Sequence, residues 1–186
     1  MARLLNHVEA VYRPGDRALV GRLFELLGCA AVDTGGPFLI VHVDPEQRDA
    51  AMLDNCVYAS EVTPAQLALE DAFIAALAEQ EKLADGLAGY TDHNTSKPQF
   101  TTHFGMAMSI EALDAAIERV ENVRGTDPEL ADHVAVTGVF RPGDPGSLSP
   151  TLVQAFVQTD LCAAGLIALG QRFELQARVP AAVTTS

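Results

Sequence analysis

Two histidines occupy matching places in similar stretches, His7 in "NHVEAVY" and His103 in "THFGMAM". Each sits on the polar side of an alternating strand pattern, with His7 and Glu9 opposing Val8 and Ala10, and His103 and Gly105 opposing Phe104 and Met106. Imidazole takes and gives protons near neutrality and is a natural ligand for Zn, Fe, Ni or Mn. Glu9, two strand residues from His7, lies about 6–7 Å along the same face. His42 shares the face of Phe38 and Ile40 in "FLIVHVD", and Arg172 and Glu174 share a face in "RFEL". His93 and His133 fall in a polar stretch and at a strand edge, which reads as solvated surface. No phosphate-cradling glycine loop, nucleophile elbow or zinc-type Cys/His spacing is present.

The elements that must hold these residues come in two rounds. Residues 4–12 read as a strand and 17–27 as a helix with Leu19, Leu23 and Leu26 on one stripe. Asp16 stands at its N-cap position. "CAAVDTGGPFLIVHVD" reads as a hairpin and "NCVYASEV" as a further strand, giving βαβββ. Thr63-Pro64 starts an amphipathic connector helix over 64–84, and "DHNTSKPQ" at 92–99 reads as a linker. The pattern then restarts with a strand at 100–108, a helix capped by Ser109, and strands at 133–140, 152–159 and 165–175. The expected organisation is a first module over 1–63, a connector over 64–99, a second module over 100–176 and a flexible tail over 177–186. "RPGD" occurs at 13–16 and at 141–144 but does not keep the register of the duplication. Both copies read as turns, with Pro presetting φ and Gly accepting a positive one.

Bulk properties narrow the partners. Lys and Arg number 12 against 25 Asp and Glu, a formal charge of −13 that disfavours nucleic acid as a partner. Cys29, Cys56 and Cys162 lie in apolar contexts without a Cys-x-x-Cys pair, as buried thiols of a reducing compartment do. The first residues turn polar too early for a signal peptide, and "LCAAGLIALG" is about half the ~20 residues of a membrane span. The expectation is a cytoplasmic protein with a small-molecule ligand and no membrane partner.

Two βαβββ modules that each open on a His-bearing strand resemble the vicinal oxygen chelate superfamily of glyoxalases, extradiol dioxygenases and bleomycin-resistance proteins. "RALVGRLFELLG", "SIEALDAAIERV" and "QAFVQTDLCAAGLIALGQRFELQ" are similar to that group's first helices and closing hairpin. The resemblance implies an α+β fold in which two tandem modules form a cup-shaped mixed sheet, here with an added connector helix. It implies one divalent ion (Fe, Mn, Ni, Co or Zn) held by His7 and His103, and relatives that also form homodimers. The usual carboxylate places on the last strands fall at Tyr58 and, through "LIALG", at Ala168. Glu174 lies about 20 Å along the strand from Ala168. That leaves Glu9 or Glu61 as third ligand, Glu61 only across a bulge. Glu9, His42, Tyr58, Ala168 and Arg172 are the expected pocket lining. Three readings stay open: a metal-dependent lyase, isomerase or dioxygenase on an oxygen-rich substrate, a metal-free protein of the same fold that binds or sequesters a small molecule, or an interaction or scaffold protein whose cup has lost its role.

Overall fold

The computed structural model describes residues 6–49 and 54–180. In the first module, β1 (His7–Tyr12) leads through the Arg13–Asp16 turn to α1 (Arg17–Leu26). The hairpin β2 (Ala30–Asp33) and β3 (Phe38–His42) follows, then β4 (Cys56–Glu61). The second module runs β5 (Phe104–Ala107), α4 (Ile110–Glu121), the short helices α5 (Val123–Thr126) and α6 (Pro128–Ala131), β6 (Val134–Phe140), β7 (Leu152–Thr159), the two-residue β8 (Cys162–Ala163) and β9 (Gln171–Arg178). Two mixed sheets result, β2-β3-β4-β1-β8 (sheet A) and β5-β9-β7-β6 (sheet B). The α+β architecture of two βαβββ modules read from the sequence is therefore present, in the same strand order in both. Residues 4 and 5 of the first expected strand lie outside the described residues.

Both helical stripes bury against one core. Tyr12, Val20, Leu23 and Phe24 of the first module join Leu113, Ala116, Phe173 and Leu175 of the second in one apolar cluster. The Phe24 and Phe173 rings meet edge to face, with centroids 5.3 Å apart, at the seam of the modules. Side chains alternate along each strand, so the residues opposite Ala10 and Tyr12 on β1, and opposite Phe173 and Leu175 on β9, point away from this core. The modules also interlock: β8, from the second module, pairs antiparallel with Val11–Tyr12 and covers the free edge of β1.

The connector departs from the expectation of one helix and a linker. It is a helical hairpin, α2 (Pro64–Glu79) and α3 (Glu81–Ser96), broken at Gln80, whose backbone is extended. The stretch read as linker is helical as far as Ser96: Asp92, His93 and Thr95 stand on a solvated helix surface, and Asn94 turns inward and is buried. Thr63 caps α2 by accepting from Gln66 N at 3.2 Å, and Ser109 caps α4 by accepting from Ala112 N at 3.2 Å. Asp16 stands at the start of α1 but makes no side-chain cap. The two "RPGD" turns have the same geometry: Asp16 N donates to Arg13 O and Asp144 N to Arg141 O, each at 3.0 Å, with Gly15 and Gly143 at φ +94° and +92°.

The last strand is the second departure. Residues 167–169 form a 3-10 turn, and Gly170 at φ +69° starts β9 at Gln171. A Cβ at position 170 would stand 2.9 Å from Thr159 O, so glycine is required there. "LIALG" resembles a buried strand in composition, yet its backbone N–H groups are taken by a side chain from α2. Glu70, only 1% exposed, accepts from Ile167 N at 3.0 Å and Ala168 N at 2.9 Å. Gln66 Nε2 also donates to it at 3.0 Å, and Arg13 Nη2 reaches it at 3.4 Å.

Candidate functional site

With β9 beginning at Gln171, Glu174 pairs in register with Gly105 of the parallel β5. In sheet A the same relation joins Glu9 of β1 to Tyr58 of β4. Tyr58 and Glu174 therefore hold equivalent places, and Ala168 is not on the strand at all. The ~20 Å separation that set Glu174 aside was measured along a strand that the 3-10 turn interrupts.

On the outward face of sheet B, His103 Nε2 stands 3.1 Å from Glu174 Oε2. Its Nδ1 lies 2.8 Å from the Thr101 carbonyl oxygen, an acceptor only, so Nδ1 carries a proton and donates it. Nε2 and Oε2 then face each other across one shared proton or a cation. The other carboxylate oxygen, Oε1, accepts from Gln154 Nε2 at 2.7 Å and Gln176 Nε2 at 3.1 Å. Glu174 is 5% exposed. Gly105 leaves the room: a Cβ there would stand 3.3 Å from Glu174 Oε2. Phe156 packs edge-on to the His103 ring with centroids 5.3 Å apart.

The end of the connector lies over this face. Gln99 Nε2 donates to Gly146 O at 3.0 Å and to Gln154 Oε1 at 3.4 Å, while Pro98 is buried and packs near Gly138. Arg172, beside Glu174 on the same side of β9, is buried and donates from Nη2 to Gln158 Oε1 at 2.7 Å.

The other expected residues lie elsewhere. His7 is on sheet A, near Asn6, Glu9 and Tyr58: its Nδ1 is 2.8 Å from Asn6 Oδ1 and its Nε2 3.7 Å from Glu9 Oε1. The side chains of His7 and Glu9 are 42% and 57% exposed, and Tyr58 packs on the His7 ring at 5.2 Å. Glu61 pairs with Tyr12 at the far end of β4, on the opposite side of the strand from Tyr58. His42 is buried, with no partner for Nδ1 among the described residues. His93 is exposed on α3, and His133 Nδ1 meets Asp160 Oδ1 at 2.9 Å on the surface. His7 and His103 thus stand on different sheets, on faces turned away from the shared core. All three cysteines are buried, and burial pushes the Cys29 and Cys162 thiols up to about 12.

The residues present do not form a closed metal site. Two donors converge, His103 Nε2 and Glu174 Oε2, and no group of three His, Cys, Asp or Glu suited to a metal occurs among the described residues. Among them too, no helix is long and apolar enough to cross a membrane.

A single strand over 165–175 misplaces Glu174, because a 3-10 turn at 167–169 precedes β9. The signal that places it is Gly170, which with the following "QRFELQ" marks a strand start. Glu70 stands beside Asp71 in "QLALEDAFIAAL", and nothing in that pair of acids marks Glu70 as the buried one, while Asp71 is exposed. No family model and no curated protein matches the chain. Among solved structures, one titled Oxidase ChaP-H2 is similar over 96% of this chain and 96% of its own, at 13% identity and a TM-score of 0.45.

Proposed function

We propose that the outward face of sheet B is a ligand site, and that the protein binds a small polar molecule there through His103 and Glu174 without a resident metal. The observation behind this reading is the nearly buried Glu174 carboxylate, clamped by two glutamine amides and aimed at an imidazole whose other nitrogen is fixed by a carbonyl. A buried carboxylate with an oriented imidazole holds a proton at a defined place and offers it to a ligand's oxygen. The structure-forming network does not require such a pair, since sheet A forms the same strand order with Tyr58 in place of the acid.

A second reading, a metal-dependent lyase, isomerase or dioxygenase, has one observation in its favour. An imidazole that gives Nδ1–H to a carbonyl keeps Nε2 for coordination, and here Nε2 converges with a carboxylate oxygen. Metal analysis of untagged protein purified without chelator separates the two. Absence of stoichiometric metal, with no rise in thermal stability on adding Mn, Fe, Ni, Co or Zn, supports the first reading. One equivalent of metal that is lost in both His103→Gln and Glu174→Gln overturns it in favour of the second.

A further inference from the structure

Arg172 carries a charge that the fold does not answer. Five arginines nearer the surface, Arg13, Arg17, Arg22, Arg124 and Arg141, each have a carboxylate partner. Arg172 is 4% exposed and has none among the described residues. Its guanidinium makes one hydrogen bond there, from Nη2 to the neutral Gln158 side chain, and its Nε–H is buried without an acceptor. Burial pulls its pKa below the ordinary value. An unpaired buried charge is among the costliest arrangements a fold can carry. The neighbouring Glu174 does not relieve it, because both carboxylate oxygens are committed to His103, Gln154 and Gln176.

We infer that Arg172 is the anion-recognition group of this face and that the ligand is a small carboxylic acid. The inference rests on the reading of sheet B as a ligand site and names the ligand's chemistry. A carboxylate matches the planar guanidinium fork and supplies the acceptor that Nε lacks. A monoanion suits the place better than a phosphate dianion. One arginine is available, Glu174 lies on the same face, and the chain carries a formal charge of −13. With its carboxylate on Arg172, the ligand's remaining oxygens lie toward His103, which precedes the Phe104–Phe173 pair on the adjacent strand as Arg172 does on β9.

The test uses the full chain labelled with 15N at arginine, and pyruvate, propionate and benzoate as probes at constant ionic strength, with propionamide and inorganic phosphate as controls. The Arg172 Nε–H signal, assigned by its loss in Arg172→Met, shifts saturably with at least one of the three carboxylates and not with propionamide. Affinity falls about tenfold or more in Arg172→Met, the scale of a lost hydrogen bond to a charged group. Arg172→Lys, which keeps the charge and loses the fork, binds with intermediate affinity. Without ligand, Arg172→Met melts no lower than the parent, because it removes an unpaired charge and leaves a chain of similar volume. An Nε–H signal unmoved by all three acids, an equal response to phosphate, or a clear fall in the melting temperature of ligand-free Arg172→Met each overturns the inference. The His103 ring signals report separately: if they respond to a probe while Arg172 does not, the ligand site stands and its proposed specificity fails.

Discussion

Sheets A and B have one strand order and one register, and they present opposite surfaces. In sheet A, the outward face around His7 and Tyr58 is open, with Glu9 in solvent and Phe38 42% exposed. In sheet B, the equivalent face is packed beneath the end of the connector, with Phe156, Gln154, Arg172 and Glu174 all buried. Two substitutions separate them. Where sheet A has Glu9 beside Tyr58, sheet B has Gly105 beside Glu174, so the acid moves from a solvated first strand to a buried last strand. An acid exposed to water beside a histidine contributes little, whereas one held away from water by amide donors is fixed in position and strongly coupled to its neighbours. The two modules supply similar frames, and burial distinguishes the face that we propose as the ligand site.

The comparison assumes that the two modules fold as one body, and the seam between them tests that. Phe173→Ala removes the ring that meets Phe24 and should cost about 3–5 kcal/mol. Calorimetry of the parent should show a single transition, and two separate transitions would mean that the modules are independent.

The next effect concerns the cover over sheet B. Glu70 anchors the root of the α2–α3 hairpin, and Glu70→Ala leaves the Ile167 and Ala168 N–H groups without their acceptor, at a cost of about 1–3 kcal/mol. Hydrogen exchange should quicken over α3 and β9 while β3 and β4 stay protected. Burial pushes the Glu70 pKa up, but hydrogen bonds from Gln66, Ala168 and Ile167, with Arg13, outweigh it and hold the pKa below the ordinary glutamate value. A depressed folded value means that the contribution is present above the unfolded pKa and is lost as pH falls through the folded one. Acid melts should therefore lose stability below about pH 4.3, the unfolded glutamate value, and Glu70→Gln should flatten that loss.

The smallest effect separates the two faces most directly. Gly105→Ala places a Cβ 3.3 Å from Glu174 Oε2 and should displace the carboxylate at a cost of about 1 kcal/mol, whereas Glu9→Ala at the matching place should stay within about 0.5 kcal/mol of the parent. The His103 ring signals should move in the first variant, and those of His7 should barely move in the second. Equal responses from the two positions would remove the distinction between an open and a built face.

Much of this was legible in the chain. The alternation around His7 and His103, the leucine and isoleucine stripes of α1 and α4, and the cap at Ser109 are local patterns, and local patterns survive into the structure because backbone geometry and burial read the same few residues. Tyr58 faces Glu9 across β1 and β4, as strand alternation alone predicts, because nothing interrupts β4. Other features depended on residues far apart in sequence. Ala168 leaves the strand because Glu70, from the other side of the connector, takes its N–H. Glu174 reaches His103 because Gly105 leaves room for it and Gln154 and Gln176 hold it. The histidines separate onto two faces because both helical stripes share one core. Sequence determined the two modules, their polar and apolar sides and the identity of the groups that could do chemistry. Which of those groups meet was decided only by tertiary packing, because a buried charge settles wherever distant donors can satisfy it.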